Sequence, residues 1–169
     1  MGAPENKGTD PGGLVVVGTL TLPGAPRSVG YARRFLRDMV PPDHPGLDDL
    51  VTVVSELVCN AVTHTASGDG GRVTVSLLAG EGFLRMEIAD DGADGRRPRL
   101  KAETGAESGR GLRIVDVLTR SWGFRPDGPG TVVWAEFRSV GRVLFRNPDM
   151  GLSRDSSTLM PTAFEGGEQ

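Results

Sequence analysis

Between residues 47 and 62 the apolar positions Leu47, Leu50, Val51, Val54, Leu57, Val58, Ala61 and Val62 recur at steps of three and four. That spacing predicts an amphipathic helix from Leu47 to about Thr63, started by the Pro and Gly that precede it. A second helical pattern lies in "RSVGYARRFLRDMV", where Val29, Ala32, Phe35, Leu36 and Met39 share one face and Arg33, Arg34 and Arg37 lie elsewhere around the wheel. A third resumes in "GLRIVDVLTRSW" through Leu112, Val115, Val117 and Leu118.

Strand patterns fill the intervals. "LVVVGTLTL", Leu14 to Leu22, is short and β-branched and is broken by "PGAP". "RVTVSLLA" and "FLRMEIAD" alternate as two strands joined by a hairpin loop at Gly80 to Gly82. "TVVWAEF" reads as a final buried strand, and "LFRN" as a short addition after it. The order strand, helix, helix, strand, strand, loop, helix, strand, strand implies an α+β two-layer sandwich, with helices on one face of a mixed, mostly antiparallel sheet. Trp122 and Trp134 are expected in the sheet–helix core, and Cys59 in helix packing.

Composition bounds this picture. The chain has 169 residues, of which 37% are hydrophobic, enough for one domain. Residues 1–13 read as a flexible leader, 14–138 as the folded domain, and 139–169 as a disordered tail rich in Pro, Gly and polar residues. The formal net charge of -3 gives no basic stripe for nucleic acid, so no direct nucleic-acid partner is expected. One cysteine excludes an internal disulfide and a Cys-based zinc site, and favours a reducing, cytoplasmic setting. No segment approaches the ~18 apolar residues of a membrane span.

Candidate chemistry interrupts these elements at three places. "ELVCNAVTH" sets Glu56, Asn60 and His64 four residues apart, so they stack along roughly 12 Å of one helix face. "IADDGADG" ends a strand with Asp90 and Asp91, followed by Gly92 and Gly95. A carboxylate there can accept from an exocyclic amine, and glycines let a planar ring approach the backbone. "ESGRGL" puts Gly109 and Gly111 at the mouth of a helix, where unpaired N–H groups suit phosphate oxygens. Each has an ordinary reading as a solvated stripe, a turn or a loop; the three in this order are far more specific.

Together with "GTVVWAEF", these motifs resemble those of the GHKL superfamily of ATPases and kinases, and within it the anti-sigma-factor serine kinases of bacteria. The resemblance covers about Leu14 to Phe137 and implies the Bergerat ATP-binding sandwich. It implies ATP and Mg²⁺ as cofactors, with Asn60 as the metal ligand and Glu56 as the general base taking a proton from an attacking hydroxyl. Asp90 would receive the adenine amino group, with Gly92 giving the ring room and Thr131 supporting the network. Gly109, Arg110, Gly111 and Leu112 would face the phosphates behind a lid at residues 96–108. His64 would either meet the ligand or brace the helix end, and Lys101 or Arg110 would supply positive charge near the γ-phosphate or remain solvated.

The implied activity is a regulatory serine/threonine kinase that binds a sigma factor and phosphorylates an antagonist protein, acting as a homodimer without membrane attachment. The basic first helix is the corresponding partner-binding region in relatives, or else a solvated face. Two alternatives stand beside it: a non-catalytic nucleotide-sensing module, and a detached histidine-kinase-like ATPase domain. Glu107, where several serine-kinase relatives carry a basic residue, weakens phosphotransfer more than binding.

Overall fold

The computed structural model describes residues 13–92 and 110–139. The anticipated leader and tail, the "LFRN" strand, Gly95, Lys101, Glu107, Gly109 and the lid all lie outside the described residues. Strand β1 (Val15–Pro23) is followed by helices α1 (Ser28–Met39) and α2 (Leu47–His64), then by a short 3₁₀ turn at Ala66–Asp69. Strands β2 (Arg72–Gly80) and β3 (Phe83–Asp90), helix α3 (Arg110–Leu118), and strands β4 (Ser121–Asp127) and β5 (Gly130–Arg138) complete the order. The five strands form one sheet in the order β1-β2-β3-β5-β4. Every pairing in it is antiparallel, which makes the sheet more uniform than the mixed one expected.

The core lies between the sheet and the helices. Helix α2 buries Leu50, Val51, Val53, Val54, Leu57, Val58 and Ala61, and α1 adds Ala32, Leu36 and Met39. From the sheet come Val73, Val75 and Leu77 of β2, Leu84, Met86 and Ile88 of β3, and Ala135 and Phe137 of β5. Burying each large aliphatic side chain contributes about 1.5–3 kcal/mol, so the continuous apolar face of α2 fixes its seat on the sheet. That seat leaves the flank of α2 with Glu56 and Asn60 off the buried stripe and against the start of α3.

Three expectations change. The helix read through Trp122 ends at Leu118, and "SWGFRPD" forms the edge strand β4. The Thr119 hydroxyl donates to the Val115 carbonyl (2.7 Å), and the Arg120 N–H already joins the sheet by donating to the Glu136 carbonyl (2.7 Å). Trp122 packs against the core as expected, its indole N–H donating to Asp116 (3.1 Å). Trp134 does not: strand alternation turns it to the opposite sheet face, where its ring lies over Gly123 and 4.4 Å from the Arg85 guanidinium. There Arg85, almost fully buried, is flanked by Glu87 and Glu136. Cys59 is exposed rather than packed, within 3.9 Å of the Thr63 hydroxyl.

Candidate nucleotide-binding site

Glu56 and Asn60 lie one turn apart on the flank of α2 that faces away from the buried stripe, and both are half-buried. The start of α3 comes directly against them. A Cβ built on Gly111 would stand 2.6 Å from Glu56 Oε2 and 4.0 Å from Asn60 Nδ2. Only a residue without a side chain lets the α3 backbone reach this pair undisturbed. The first turn of α3 also presents N–H groups that have no acceptor within the helix, and it carries no acidic side chain. Arg110 opens this helix and Leu112 is half-buried behind Gly111.

Asp90 closes the other side. In β3, Leu84, Met86 and Ile88 face the helices, so the same alternation turns Asp90 toward that layer. It stands in register between Val73 of β2 and Thr131 of β5, both buried. Its Oδ1 accepts from the Gly92 N–H (2.7 Å). Burial pushes the Asp90 carboxyl above its ordinary value, hydrogen bonds from the Gly92 and Thr131 backbones act against that rise, and Asp91 adds to it. The result is a partly desolvated acceptor fixed at one edge.

Gly92 is required for a reason other than room for a ring. Its φ of 81° is left-handed, and a Cβ there would overlap the Pro129 carbonyl oxygen. A Cβ on Gly130 would likewise overlap the Asp90 carbonyl oxygen. Two glycines therefore press the exit of β3 against the β4–β5 turn, which holds Asp90 and Thr131 together.

Asp91 has separate work. Its carboxylate accepts from the Arg72 N–H and sits against Gly71, and its own N–H donates to the Ser67 hydroxyl (3.0 Å). His64 is exposed at the last position of α2. Bracing of that helix end falls to Thr65, whose hydroxyl donates to the Ala61 carbonyl (2.6 Å) and accepts from the Ser67 N–H (3.2 Å). Thr65 and Ser67 escaped the sequence reading, where the T-x-S spacing after the helix was the available signal, and Gly130 entered it only as the first residue of "GTVVWAEF".

Among the described residues no three His, Cys, Asp or Glu side chains converge on one point. A single amide, Asn60, beside an amide-rich helix start suits a cation shared with phosphate oxygens, as Mg²⁺ commonly is.

A family model described as "Histidine kinase-like ATPase domain" matches residues 22–137. The chain belongs to that family. Histidine kinase-like ATPase relatives include the serine-protein kinase RsbW of Listeria monocytogenes (strain HCC23), 32% identical over 91 residues. That match covers 52% of this chain and 58% of the Listeria protein, so the shared segment spans little more than half of its length. The RsbW of Oceanobacillus iheyensis is 27% identical over 114 residues, 59% of this chain and 72% of that one. A solved structure of RsbU and RsbW domains from Mycobacterium tuberculosis superposes with a TM-score of 0.53 at 22% identity. It covers 75% of this chain and 32% of that one, and shows the fold. The GHKL resemblance and its anti-sigma-kinase branch are thus borne out. Among the described residues no helix is long and apolar enough to cross a membrane.

Proposed function

We propose that this chain binds Mg²⁺-ATP between the β3 exit and the α2–α3 junction and acts as a serine/threonine kinase of the anti-sigma-factor type. In this reading it works as a homodimer that binds a sigma factor and phosphorylates an antagonist protein of that factor. The observation that carries the proposal is the seating of Gly111 against Glu56 and Asn60, which joins a phosphate-suited helix start to an acid and an amide. Names of the RsbW relatives support the serine-kinase assignment over histidine phosphotransfer.

Each side chain has a defined task. Asp90 accepts from the adenine amino group, its carboxylate already oriented by Gly92, and Thr131 lines the same edge. Asn60 holds Mg²⁺ through its amide oxygen, and the N–H groups of Gly109, Arg110, Gly111 and Leu112 receive phosphate oxygens. When bound, Mg²⁺-ATP supplies the phosphoryl group. Glu56 takes the proton from the attacking serine hydroxyl at its carboxylate.

Calorimetric titration of ATP and ADP, with and without Mg²⁺, tests the binding half. Wild type should bind both nucleotides, Asp90→Asn should lose both, and Asn60→Ala should lose the Mg²⁺ dependence. Incubation with ATP and an antagonist protein tests the catalytic half: acid-stable phosphoserine should form on the partner and disappear with Glu56→Gln. Acid-labile label would point to the detached histidine-kinase-like reading, and tight binding without any transfer to the nucleotide-sensing one. Absence of nucleotide binding by wild type would sink the whole proposal.

A further inference from the structure

Ser67 is fully buried although it lies in a short surface turn of polar and glycine residues. Its hydroxyl donates to the Arg72 carbonyl (2.7 Å) and accepts from the Asp91 N–H (3.0 Å). Its own N–H donates to Thr65 Oγ1 (3.2 Å), and that hydroxyl donates to the Ala61 carbonyl (2.6 Å) in the last turn of α2. The neighbouring Ala66 N–H donates to the Gly92 carbonyl. The turn therefore grips the backbone at both Asp91 and Gly92, the two residues that follow Asp90. Its other end is fastened one residue beyond Asn60.

Surrounding glycines close around this hub. A Cβ on Gly24 would overlap the Ser67 carbonyl oxygen, a Cβ on Gly68 would overlap the Val62 carbonyl oxygen, and one on Gly71 would overlap Asp91 Oδ2. The turn thus has no space to shift as a unit. An apolar side chain at position 67 would leave the Arg72 carbonyl and the Asp91 N–H without this partner, so the hydroxyl sets a particular backbone position beside Asp90.

We propose that Ser67, through Thr65 and Asp91, is a positioning residue that holds the base-recognising end of β3 in fixed relation to the metal-binding end of α2. The proposal rests on the nucleotide reading given above. Its action is on Asp90: with the Asp91 N–H and the Gly92 carbonyl anchored, the Asp90 carboxylate keeps the orientation in which it accepts from an amine, and faces a carbonyl on a competing base as acceptor against acceptor. Ser67 itself touches no ligand in this scheme. Its removal should therefore weaken recognition of the base and leave recognition of phosphate and metal intact.

The test uses the full chain and three probes: ATP, GTP and Mg²⁺-tripolyphosphate, the last having no base. Wild type should prefer ATP to GTP. Ser67→Ala should weaken ATP binding roughly tenfold or more and narrow the ATP-over-GTP preference, with tripolyphosphate binding unchanged. Thr65→Val, which keeps the shape but removes the hydroxyl, should move the same ratio in the same direction, and Thr65→Ser should restore it. This pair keeps the test decisive if Ser67→Ala does not fold. Unchanged ATP binding in Ser67→Ala and Thr65→Val would overturn the proposal, as would equal weakening of ATP and tripolyphosphate, which marks a purely structural role. Wild type that binds no probe would remove the nucleotide reading first and this assignment with it.

Discussion

Gly92→Ala separates two reasons for a glycine and puts a number on each. An alanine at φ 81° costs about 1–2 kcal/mol from the left-handed conformation alone. The new Cβ would also overlap the Pro129 carbonyl oxygen, a backbone atom of the β4–β5 turn that cannot rotate away. Forcing that turn outward adds about 1–3 kcal/mol. Gly82 provides the control, because its φ of 74° carries the same conformational cost while nothing lies within 4 Å of its Cβ position. At roughly 4 °C per kcal/mol for a domain of this size, thermal unfolding should fall about 4–8 °C in Gly82→Ala and about 8–20 °C in Gly92→Ala. Nucleotide binding should survive the first change and not the second, since the Gly92 N–H holds Asp90 Oδ1. Equal losses of unfolding temperature in the two variants would refute the argument that close approach of the turn fixes Asp90.

Two further outcomes follow from the same geometry. Because burial raises the Asp90 carboxyl, the folded state keeps its proton to higher pH than the unfolded chain. Its contribution to stability is full below the unfolded value and is lost as pH rises through the raised folded value. Asp90→Asn should therefore unfold at the same or a higher temperature than ligand-free wild type at neutral pH, the gap closing in the acid range; a variant less stable at neutral pH contradicts desolvation as the cause. Gly111→Ala should keep nucleotide affinity but lower phosphotransfer, because the new Cβ drives Glu56 Oε2 from 2.6 Å back to ordinary contact. A shift of most of an ångström in a base costs about tenfold to a hundredfold, to be read by single-turnover phosphorylation; unchanged turnover would remove Glu56 from the catalytic step.

What could be read from the chain depended on how many residues carried each signal. Helix α2 was legible because seven of its residues are buried on one side, β2 because it alternates from Arg72 to Leu77, and β3 because Leu84, Met86 and Ile88 take every second position. Strand β4 was not, because only Trp122, Phe124 and Pro126 mark its inner side, and Trp122 also fits the preceding helical spacing. The Asp-Gly pair at Asp127 and Gly128 was the overlooked sign of a hairpin, and Gly128 has the positive φ (57°) such a turn uses. Trp134 leaves the core because it is out of phase with Ala135 and Phe137 along β5, which its size alone does not reveal. Cys59 does so in the same way, since it follows two buried residues but points off their stripe.

Parity also resolves the two adjacent aspartates, which composition makes equivalent. Counting by twos from Leu84 assigns Asp90 to the helix side, and so to the site, before any contact is known. Asp91, one step out of phase, leaves the strand toward the Arg72 N–H and Ser67. The difference is one residue of register, yet it divides the pair into a half-buried carboxylate, to which the proposed function gives the ligand, and a carboxylate consumed in holding the strand. Asp91 is spent on the Arg72 N–H, while Asp90 remains half-buried and free of a cationic partner among the described residues, its carboxyl raised first by burial and further by the charge of Asp91. The amine recognition proposed for Asp90 requires an acid left uncommitted, and the neighbouring acid takes the structural commitment in its place.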